Sequence, residues 1–531
     1  MQITMKHNIP NIDIENVFLK HFRQRNAEPN VRDGFVGIGM LLDALVRFAY
    51  ASRDNDLIRL KSCVTEELLK TQDADGYIGI FIPEMRMQGW DTHEGGYIIL
   101  ALVSDYTCFQ NKKSLDAARR YADLLIEKQV TWITGLEDAF LALYQATHDS
   151  KYLDYCLQEF GLAEFRGGSV HHSRHVYGFV ERCLMQLKLY QICPEEKLLY
   201  KPHVAVELLV NLDAMDIIGS AGVWEHFDTN QQGNECNAET CATAYIIRLL
   251  HHLLQIEGNA FYGDIMERSI YNALFAAQSP DGRQIRYFTD YESAKEYYPD
   301  DYFCCPNNFR RMIADLPEMI YYQTDSGIFV NLYNQSQAKV VLNGQKVVIE
   351  QITDYPSSER VIIKLHPAEK CEFTVALRIP LWCKNPQVQI NGSPADGFTD
   401  SSQIYTQKRI WQEGDEITLT LPMAWRLIEG KHSQWNKVAL MRGPIVYTMS
   451  NRVNEFLTNE TDIMVDAESI SEPVEDHSCR PGGLRCSARI VPGNNEIVFT
   501  EFIDPTGIKT FFRVSDGRAI KIADEFMTKH Y

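Results

Sequence analysis

Near residue 326 the spacing of apolar residues changes, and this change limits the chain to a helical half followed by a sheet half. From about residue 12 to 325, apolar residues recur every three or four positions, as in GIGMLLDALVRFAYASRD and ETCATAYIIRLLHHLLQIEG. That spacing lines one face of a helix with apolar side chains and predicts amphipathic helices. The pattern predicts about twelve helices in six loose pairs, with one pair every 40–55 residues or so. An (α/α)6 barrel requires this number of helices.

Beyond residue 326 apolar and polar residues alternate, as in QKVVIEQI, RVIIKLHP and CEFTVALRIP. A period of two is typical of strands that bury one face, and turn-forming residues separate these stretches. We therefore expect antiparallel sheets, most simply one or more β-sandwich domains, over residues 326–531. No long flexible linker divides this region from the barrel of residues 1–325, so the two should pack together.

The composition excludes several classes of function. The 531 residues carry a net charge of −19, and such a field repels both nucleic acid and anionic membranes. No stretch approaches the roughly 18 apolar residues of a membrane span. Residues 1–22 lack a cationic region followed by an apolar run. The 13 cysteines do not suggest a disulfide framework, so we expect reduced thiols and cytoplasmic residence. The oligomeric state is left open, with a homodimer as one expectation.

Two adjacent cysteines, Cys304 and Cys305, precede Pro306 in the stretch DDYFCCPNNFRR. Taken alone, the doublet is most simply interpreted as two small buried hydrophobic residues. Pro306 lacks an N–H and favours the first turn of a helix, so the cysteines should lie at the start of a helix through NNFRRMIADLPEMIYY. A helix N-terminus favours anionic sulfur and lowers the pKa of a thiol.

A second pair of candidate ligands, Glu239 and Cys241, lies at the entrance of the helix predicted for ETCATAYIIRLLHHLLQIEG. Side chains two positions apart can face one site where the chain is not yet helical, as we expect here. With the cysteine doublet they supply one carboxylate and three sulfurs, which suits tetrahedral Zn²⁺. Cys236 is near enough in sequence to compete as a ligand. Such a zinc could be purely structural, whereas a catalytic site also needs a proton donor, for which Glu225 in GVWEHF is the candidate.

Seven motifs follow one another along the chain: AETCATA, YGDIMERSIYNALFAAQSPDGRQIRYF, CCPNN, VALRIPLW, INGSP, GDEITLTLPM and VALMRGPIVY. They resemble glycoside hydrolase family 127, the β-L-arabinofuranosidases, from about residue 30 to residue 450. The resemblance implies a helical catalytic barrel, a β-sandwich, a retaining mechanism and a carbohydrate substrate from plant cell-wall oligosaccharides.

The resemblance also implies roles for individual residues. It implies four zinc ligands: Glu239, Cys241, Cys304 and Cys305. It implies that Cys304 is the nucleophile as well as a ligand, and that Glu225 is the general acid/base. It implies four substrate-binding residues: His93, His175, Glu267 and Tyr287. Without the resemblance, Glu267 would be interpreted as a surface acid and the two histidines as structural residues, and the alternative for Glu225 is a solvated or salt-bridged glutamate.

Two departures from the family pattern leave the sugar open. TWITG stands before LEDAFLALY where a family histidine is expected, and the loop between Glu225 and Glu239 is slightly shorter. The basic residues Arg174, Arg268 and Arg286 would favour a carboxylated pectic sugar if they lie near the pocket. Two alternatives from other classes are a zinc-stabilised carbohydrate-binding protein without turnover and a redox switch built on the thiol pair.

Overall fold

The computed structural model describes residues 1–26, 37–88, 90–131, 135–164, 174–395, 403–493, 495–515 and 520–527. Within these ranges the first half of the chain is helical, as expected. Its α-helices are α1 (Lys20–Gln24), α2 (Ile38–Ser52), α3 (Asn55–Leu69), α4 (Trp90–Phe109), α5 (Lys112–Glu127), α6 (Leu136–Thr147), α7 (Ser150–Gln158), α8 (Val176–Ile192), α9 (Tyr200–Val210), α10 (Thr240–Glu257), α11 (Ala260–Ser269) and α12 (Cys304–Asp315). None of these described helices is both long and apolar enough to cross a bilayer.

Alternate helices contact one another around a closed ring. The order of contacts is α2, α4, α6, α8, α10 and α12, and α12 returns to α2. Each of the helices α3, α5, α7, α9 and α11 contacts the ring helix that precedes it in the chain. The ring helices are buried along most of their length, whereas α5 buries only one stripe. This burial difference follows from position, because a ring helix has neighbours on both sides and an outer helix has solvent on one.

Glycines allow the ring helices to approach closely. A Cβ atom at Gly39 of α2 would lie 2.5 Å from the backbone nitrogen of Ile98 on α4. A Cβ atom at Gly96 of α4 would lie 3.0 Å from the carbonyl carbon of Gly135, just before α6. Because these neighbours are backbone atoms, they cannot move aside without moving a helix. The spacing of α2 and α4 therefore depends on the missing side chain at Gly39.

The second half is β-rich, as expected, although its first strand begins at Tyr321. The strands are β1 (Tyr321–Thr324), β2 (Gly327–Val330), β3 (Ser336–Leu342), β4 (Gln345–Ile352), β5 (Arg360–Pro367), β6 (Cys371–Arg378), β7 (Gln387–Ile390), β8 (Ser393–Pro394), β9 (Ile404–Trp411), β10 (Asp415–Thr420), β11 (Trp425–Glu429), β12 (Val438–Arg442), β13 (Ile445–Ser450), β14 (Met464–Asp466), β15 (Val474–Glu475), β16 (Leu484–Ile490), β17 (Glu496–Glu501), β18 (Gly507–Lys509), β19 (Phe511–Val514) and β20 (Lys521–Ile522).

These strands form three sheets in the described residues. One sheet has the order β1-β2-β6-β9 and a second has the order β3-β4-β5-β10-β7-β8. Buried residues of both line one apolar core, including Val375 and Phe373 from β6 and Ile349 and Ile363 from β4 and β5. The third sheet, β18-β13-β17-β16-β14-β19-β12-β11-β20 with β15 paired to β16, covers a core of its own.

The expectation of purely antiparallel sheets is wrong at three strand pairs. The pairs β2–β6, β11–β20 and β14–β19 are parallel. Between β2 and β6 the chain crosses to the second sheet and forms β3, β4 and β5 there. A return from another sheet can enter in either direction, whereas a short hairpin forces antiparallel pairing. Alternation of apolar residues predicts a strand but carries no information about the direction of its partner.

Replacing Gly39 by alanine should lower the thermal stability of the full chain, because the new methyl group would overlap the backbone of α4. Overpacking of this kind costs about 1–3 kcal/mol. Thermal unfolding followed by circular dichroism measures the change, with Thr107→Ala, at an exposed position of α4, as the control. Equal midpoints for both variants would contradict the role given to Gly39.

Candidate active site

One carboxylate and three cysteine sulfurs converge at the entrances of two ring helices. The ligand atoms of Glu239, Cys241, Cys304 and Cys305 all lie within 4.8 Å of one another. Glu239 is the residue before α10, and Cys304 and Cys305 are the first two residues of α12, as predicted from Pro306. Cys241 is already the second residue of α10, so the expectation of a non-helical segment holds only for Glu239.

The electrostatics of this cluster favour a bound cation. Burial raises the pKa of Glu239 well above its usual value, and burial likewise raises the pKa of Cys241 and of Cys305. The pKa of Cys304 is lowered, first by the hydrogen bond from Cys241 and then by that from Cys305. Oε2 of Glu239 is buried and has no hydrogen-bond partner in the described part of the chain. Four acidic groups with an unused carboxylate oxygen fit a divalent metal ion.

Asn308 supports the cluster and was missed by the sequence analysis. It is fully buried, and its Nδ2 donates a hydrogen bond to Cys241 Sγ over 3.2 Å. Its Oδ1 accepts from Arg311, which fixes the orientation of the amide. Residues three and four apart share a helix face, so the spacing from Cys304 and Cys305 could have predicted that Asn308 lies beneath them.

Glu225 is presented by a tight turn. Val223 and His226 exchange backbone hydrogen bonds of 2.9 and 3.0 Å, and the two residues between them, Trp224 and Glu225, have φ values of 47° and 67°. Positive φ at both central positions is the geometry of a type I′ turn, which normally selects asparagine and glycine. A tryptophan and a glutamate there are strained, and such strain concentrates at functional sites.

Tyr287 links this turn to the cluster. Its hydroxyl donates to Glu225 Oε1 over 2.6 Å and lies 3.7 Å from Cys304 Sγ. His175 Nε2 lies 3.3 Å from Glu225 Oε2. Because His175 Nδ1 accepts from the backbone N–H of Gly178, the Nε2 atom that faces the carboxylate carries the proton of the neutral ring. The structure therefore brings Glu225, His175 and Tyr287 to the cluster.

The other two predicted substrate residues lie in different surroundings. His93 on α4 is fully buried and makes edge contacts with the rings of Trp90 and Tyr97. Glu267 is not brought to the cluster. It is buried, but its carboxylate is paired with Arg378 of β6 over 2.8 Å.

Further contacts hold Glu267 where the helical half meets the first β core, which is the core lined by the first two sheets. Its Oε1 accepts from the hydroxyl of Tyr355 over 2.7 Å, and its Oε2 lies 3.4 Å from the indole nitrogen of Trp382. All of these partners belong to the β-rich half. Hydrophobic periodicity could not predict this arrangement, because the partners lie far away in sequence.

The remaining sequence candidates have other environments. Cys236 lies outside the cluster, and its carbonyl accepts from the backbone of Trp224. Arg268 is paired with Asp524 and Glu525, and Arg286 donates to the carbonyl of Ala276. Arg174 is exposed. Of TWITG, residues 132–134 lie outside the described residues. None of the 13 cysteines forms a disulfide.

A groove of about 740 Å³ opens beside Glu225 and Tyr287. It is lined by Trp224, Glu225, Cys236, Tyr287, Phe288, Asp290, Ser293, Ala294, Lys295, Glu296, Tyr297, Tyr298, Pro299 and Asn459. Its volume falls within the range of about 300–1,000 Å³ that is typical of small-molecule sites. The acidic groups of the site therefore face a cavity large enough for a substrate.

Two protein-family models match the chain. Residues 4–318 match the model described as β-L-arabinofuranosidase, glycoside hydrolase family 127 catalytic domain. Residues 327–423 match the middle domain of the same family. The protein is thus a glycoside hydrolase. It belongs to glycoside hydrolase family 127.

Individual relatives agree with this assignment. A curated protein of Bifidobacterium longum subsp. longum, the non-reducing end β-L-arabinofuranosidase, is 25% identical over 480 residues, which are 74% of this chain and 72% of that protein. The crystal structure of a family 127 β-L-arabinofuranosidase from Geobacillus stearothermophilus T6 matches with a TM-score of 0.77 and 22% identity, over 97% of this chain and 96% of the other. A further family 127 β-arabinofuranosidase matches with a TM-score of 0.82 and 19% identity, over 97% and 95%.

Replacing Glu267 by glutamine should destabilise the protein, because the buried Arg378 loses part of its compensating charge. Breaking a buried pair costs about 3–5 kcal/mol, and we expect less here because Asp264 also pairs with Arg378. A fall of roughly 2–4 °C in the unfolding midpoint is expected for a chain of this length. The matched control is Glu372→Gln, which removes half of an exposed pair with Lys408. Loss of turnover with unchanged unfolding would instead favour substrate binding by Glu267.

Proposed function

We propose that this glycoside hydrolase releases L-arabinofuranose or a related neutral sugar from plant-derived oligosaccharides with retention of configuration. The observation that carries the proposal is the position of Tyr287 between Glu225 and Cys304. Its two contacts limit the separation of Glu225 Oε1 and Cys304 Sγ to about 6.3 Å. Retaining enzymes place their two carboxyl groups about 5–5.5 Å apart and inverting enzymes about 6.5–9.5 Å apart. This upper limit on the separation therefore supports a retaining mechanism, in which an enzyme side chain attacks the anomeric carbon.

In the proposed reaction, Cys304 Sγ forms a bond to the anomeric carbon as the glycosidic C–O bond breaks. Glu225 gives its proton to the departing oxygen. Glu225 then takes a proton from water, whose oxygen attacks the same carbon, and the sulfur leaves as a thiolate. The contacts of Tyr287 and His175 orient the Glu225 carboxylate toward the bond that breaks.

The proposed metal ion is zinc, held by Glu239, Cys241, Cys304 and Cys305. Three sulfurs and one carboxylate suit its tetrahedral coordination and exclude the oxygen-preferring Mg²⁺ and Ca²⁺. Bound zinc would keep the cysteine sulfurs deprotonated at neutral pH. The hydrogen bond from Asn308 to Cys241 would orient one ligand, as is common beside metal sites.

The charges around the groove favour a neutral sugar over a carboxylated one. Arg268 and Arg286 do not line the groove, and their side chains are directed to other partners. The groove instead presents the carboxyl groups of Glu225, Asp290 and Glu296. These acids would repel a uronic acid placed in the groove, and the side chains of Arg268 and Arg286 are not available there to bind its carboxylate.

The proposed function rests on a proposed architecture. The closed ring of helices, each followed by an outer helix, supports an (α/α)6 barrel ending near residue 325. The core shared by the first two sheets supports a β-sandwich after it. In such a barrel, α10 and α12 are neighbours with their entrances at the same end, where substrate can reach the groove.

The purified, reduced protein should contain about one zinc ion per chain. Cys241→Ser should lose most of this metal, because serine is a poorer zinc ligand than a thiolate. Cys236→Ser, whose sulfur lies outside the cluster, is the matched control and should keep it. Mass spectrometry of the metal content decides, and a fully reduced wild-type protein free of divalent metal would refute the ligand set.

Glu225→Gln should lower kcat/KM, which reports the step that breaks the glycosidic bond, by roughly 10²–10⁴-fold on alkyl arabinofuranosides, whose leaving groups need a proton. The loss should be much smaller on a 4-nitrophenyl arabinofuranoside, because that leaving group departs without protonation. Cys304→Ala should abolish turnover of both substrates. Glu207→Gln, at an exposed position of α9, is the control. Equal losses of Glu225→Gln on both substrates would contradict the acid role.

A further inference from the structure

The groove lies on the acid side of the proposed catalytic pair. Its lining includes Glu225 and Tyr287 but none of the four cluster residues. In the proposed reaction, the sugar that is released contacts the Cys304 sulfur, and the leaving oxygen contacts Glu225. Whatever is attached to that oxygen must therefore extend away from the cluster, which is the direction in which the groove opens.

Aromatic side chains cover much of the groove. Trp224 is 61% exposed, and its ring lies 6.0 Å from that of Phe288 in an edge contact. Tyr297 and Tyr298 also line the cavity. A tryptophan exposed to this extent gains little burial energy within the chain, and the positive φ of its turn adds a conformational cost. Aromatic faces beside hydrogen-bonding groups suit the C–H faces and hydroxyl groups of sugar rings.

The charged groups of the groove do not attract an anion. Its carboxyl groups belong to Glu225, Asp290 and Glu296. Its lysine, Lys295, donates to the carbonyl oxygens of Phe502 and Asp504 over 2.9 and 3.1 Å, and is buried. The ammonium group is therefore turned toward the protein. A neutral ligand is the class that this lining accepts.

The groove continues onto the last β region, the part of the chain that forms the third sheet. Asn459 lines the groove and also two further depressions, of about 350 and 480 Å³, that reach Lys437 and Lys509. The loop that carries Asn459 is held by the Thr461 hydroxyl, which accepts from the backbone N–H of Thr458 over 2.8 Å. Residue 459 lies beyond residue 423, where the second family match ends. The groove and the depressions that share Asn459 with it therefore offer more volume than a single sugar ring fills.

We propose that the groove from Glu225 past Trp224 and Phe288 to Asn459 binds the leaving group of the substrate, and that it is built for a neutral oligosaccharide. This inference rests on the proposed function, since it assigns the leaving-group side from the acid role of Glu225. The enzyme then selects its substrate by the chain to which the terminal sugar is attached as well as by that sugar.

The test compares kcat/KM for three β-L-arabinofuranosides: the methyl glycoside, one linked to a neutral trisaccharide, and one linked to a trisaccharide that contains a uronic acid. The wild-type enzyme should prefer the neutral trisaccharide over methyl by about tenfold or more. Trp224→Ala should remove most of this preference, and Trp224→Phe should restore part of it. The preference is a ratio within one variant, so it does not depend on a general loss of activity.

Two further variants make the assignment specific. Asn459→Ala lies far from Glu225 in sequence and should reduce the preference for the trisaccharide substrate. Tyr200→Ala, at an aromatic residue of α9 that is 65% exposed and outside the groove, is the matched control and should keep it. A wild-type enzyme that hydrolyses the methyl and trisaccharide substrates equally well, or that prefers the uronic acid, would overturn the inference and leave the proposed function intact.

A binding measurement separates the inference from the proposed function. The neutral trisaccharide alone should bind the wild-type protein in calorimetric titration, and Trp224→Ala should weaken that binding by about tenfold. If no arabinofuranoside is hydrolysed, the proposed function fails, and the titration still decides whether the groove holds a neutral glycan. Absence of binding to the wild-type protein would overturn the inference by itself.

Discussion

The rest of the structure depends on one constraint. One carboxyl and three thiol groups meet at a single point that is largely shielded from water. Glu239 and Cys241 approach from α10, and Cys304 and Cys305 approach from α12. Each helix N-terminus stabilises negative charge by only about 0.3–1 kcal/mol, far less than burial of an unpaired charge costs. The helices alone therefore cannot compensate the cluster, and a cation of the kind proposed would. The ring of helices makes the cluster possible, because it sets two helix entrances side by side.

The sequence predicted most of the cluster and much less of its surroundings. The residue types of Cys304 and Cys305, and the proline after them, restrict both chemistry and local structure, so their position at a helix start could be predicted. The partner of Glu267 could not, because Arg378 lies 111 residues further along the chain and no local pattern links the two. Asn308 lay between these cases, since helical spacing gives its face but not its hydrogen bond to sulfur. The prediction of strand direction was wrong for the same reason that the partner of Glu267 could not be predicted. Long-range topology decides whether neighbouring strands run parallel or antiparallel.

The position of Glu225 illustrates how a strained turn is maintained. Two non-glycine residues with positive φ cost about 1–3 kcal/mol each. The backbone around them compensates, because Val176 N–H donates to the Glu225 carbonyl over 2.8 Å and Phe227 N–H donates to the Arg174 carbonyl over 3.0 Å. These bonds attach the turn to the start of α8, where His175 both caps the helix and contacts the Glu225 carboxylate. Glu225 and His175 are thereby positioned by the same helix end.

Direct contacts join the last β region to the helical half. Lys295 and Glu292, on the segment that forms one wall of the groove, both bind it: Lys295 through the carbonyls of Phe502 and Asp504, and Glu292 by accepting from the backbone of Thr510 and Phe511. On α11, Glu267 binds Arg378 of the first β core, while the next residue, Arg268, pairs with Asp524 and Glu525 near the end of the chain. One helix thus joins both β regions to the ring of helices. The proposed ligands lie within the helical half, whereas the groove wall that faces Glu225 is fixed from outside it. The proposed cleavage chemistry and substrate selection would therefore depend on different parts of the chain.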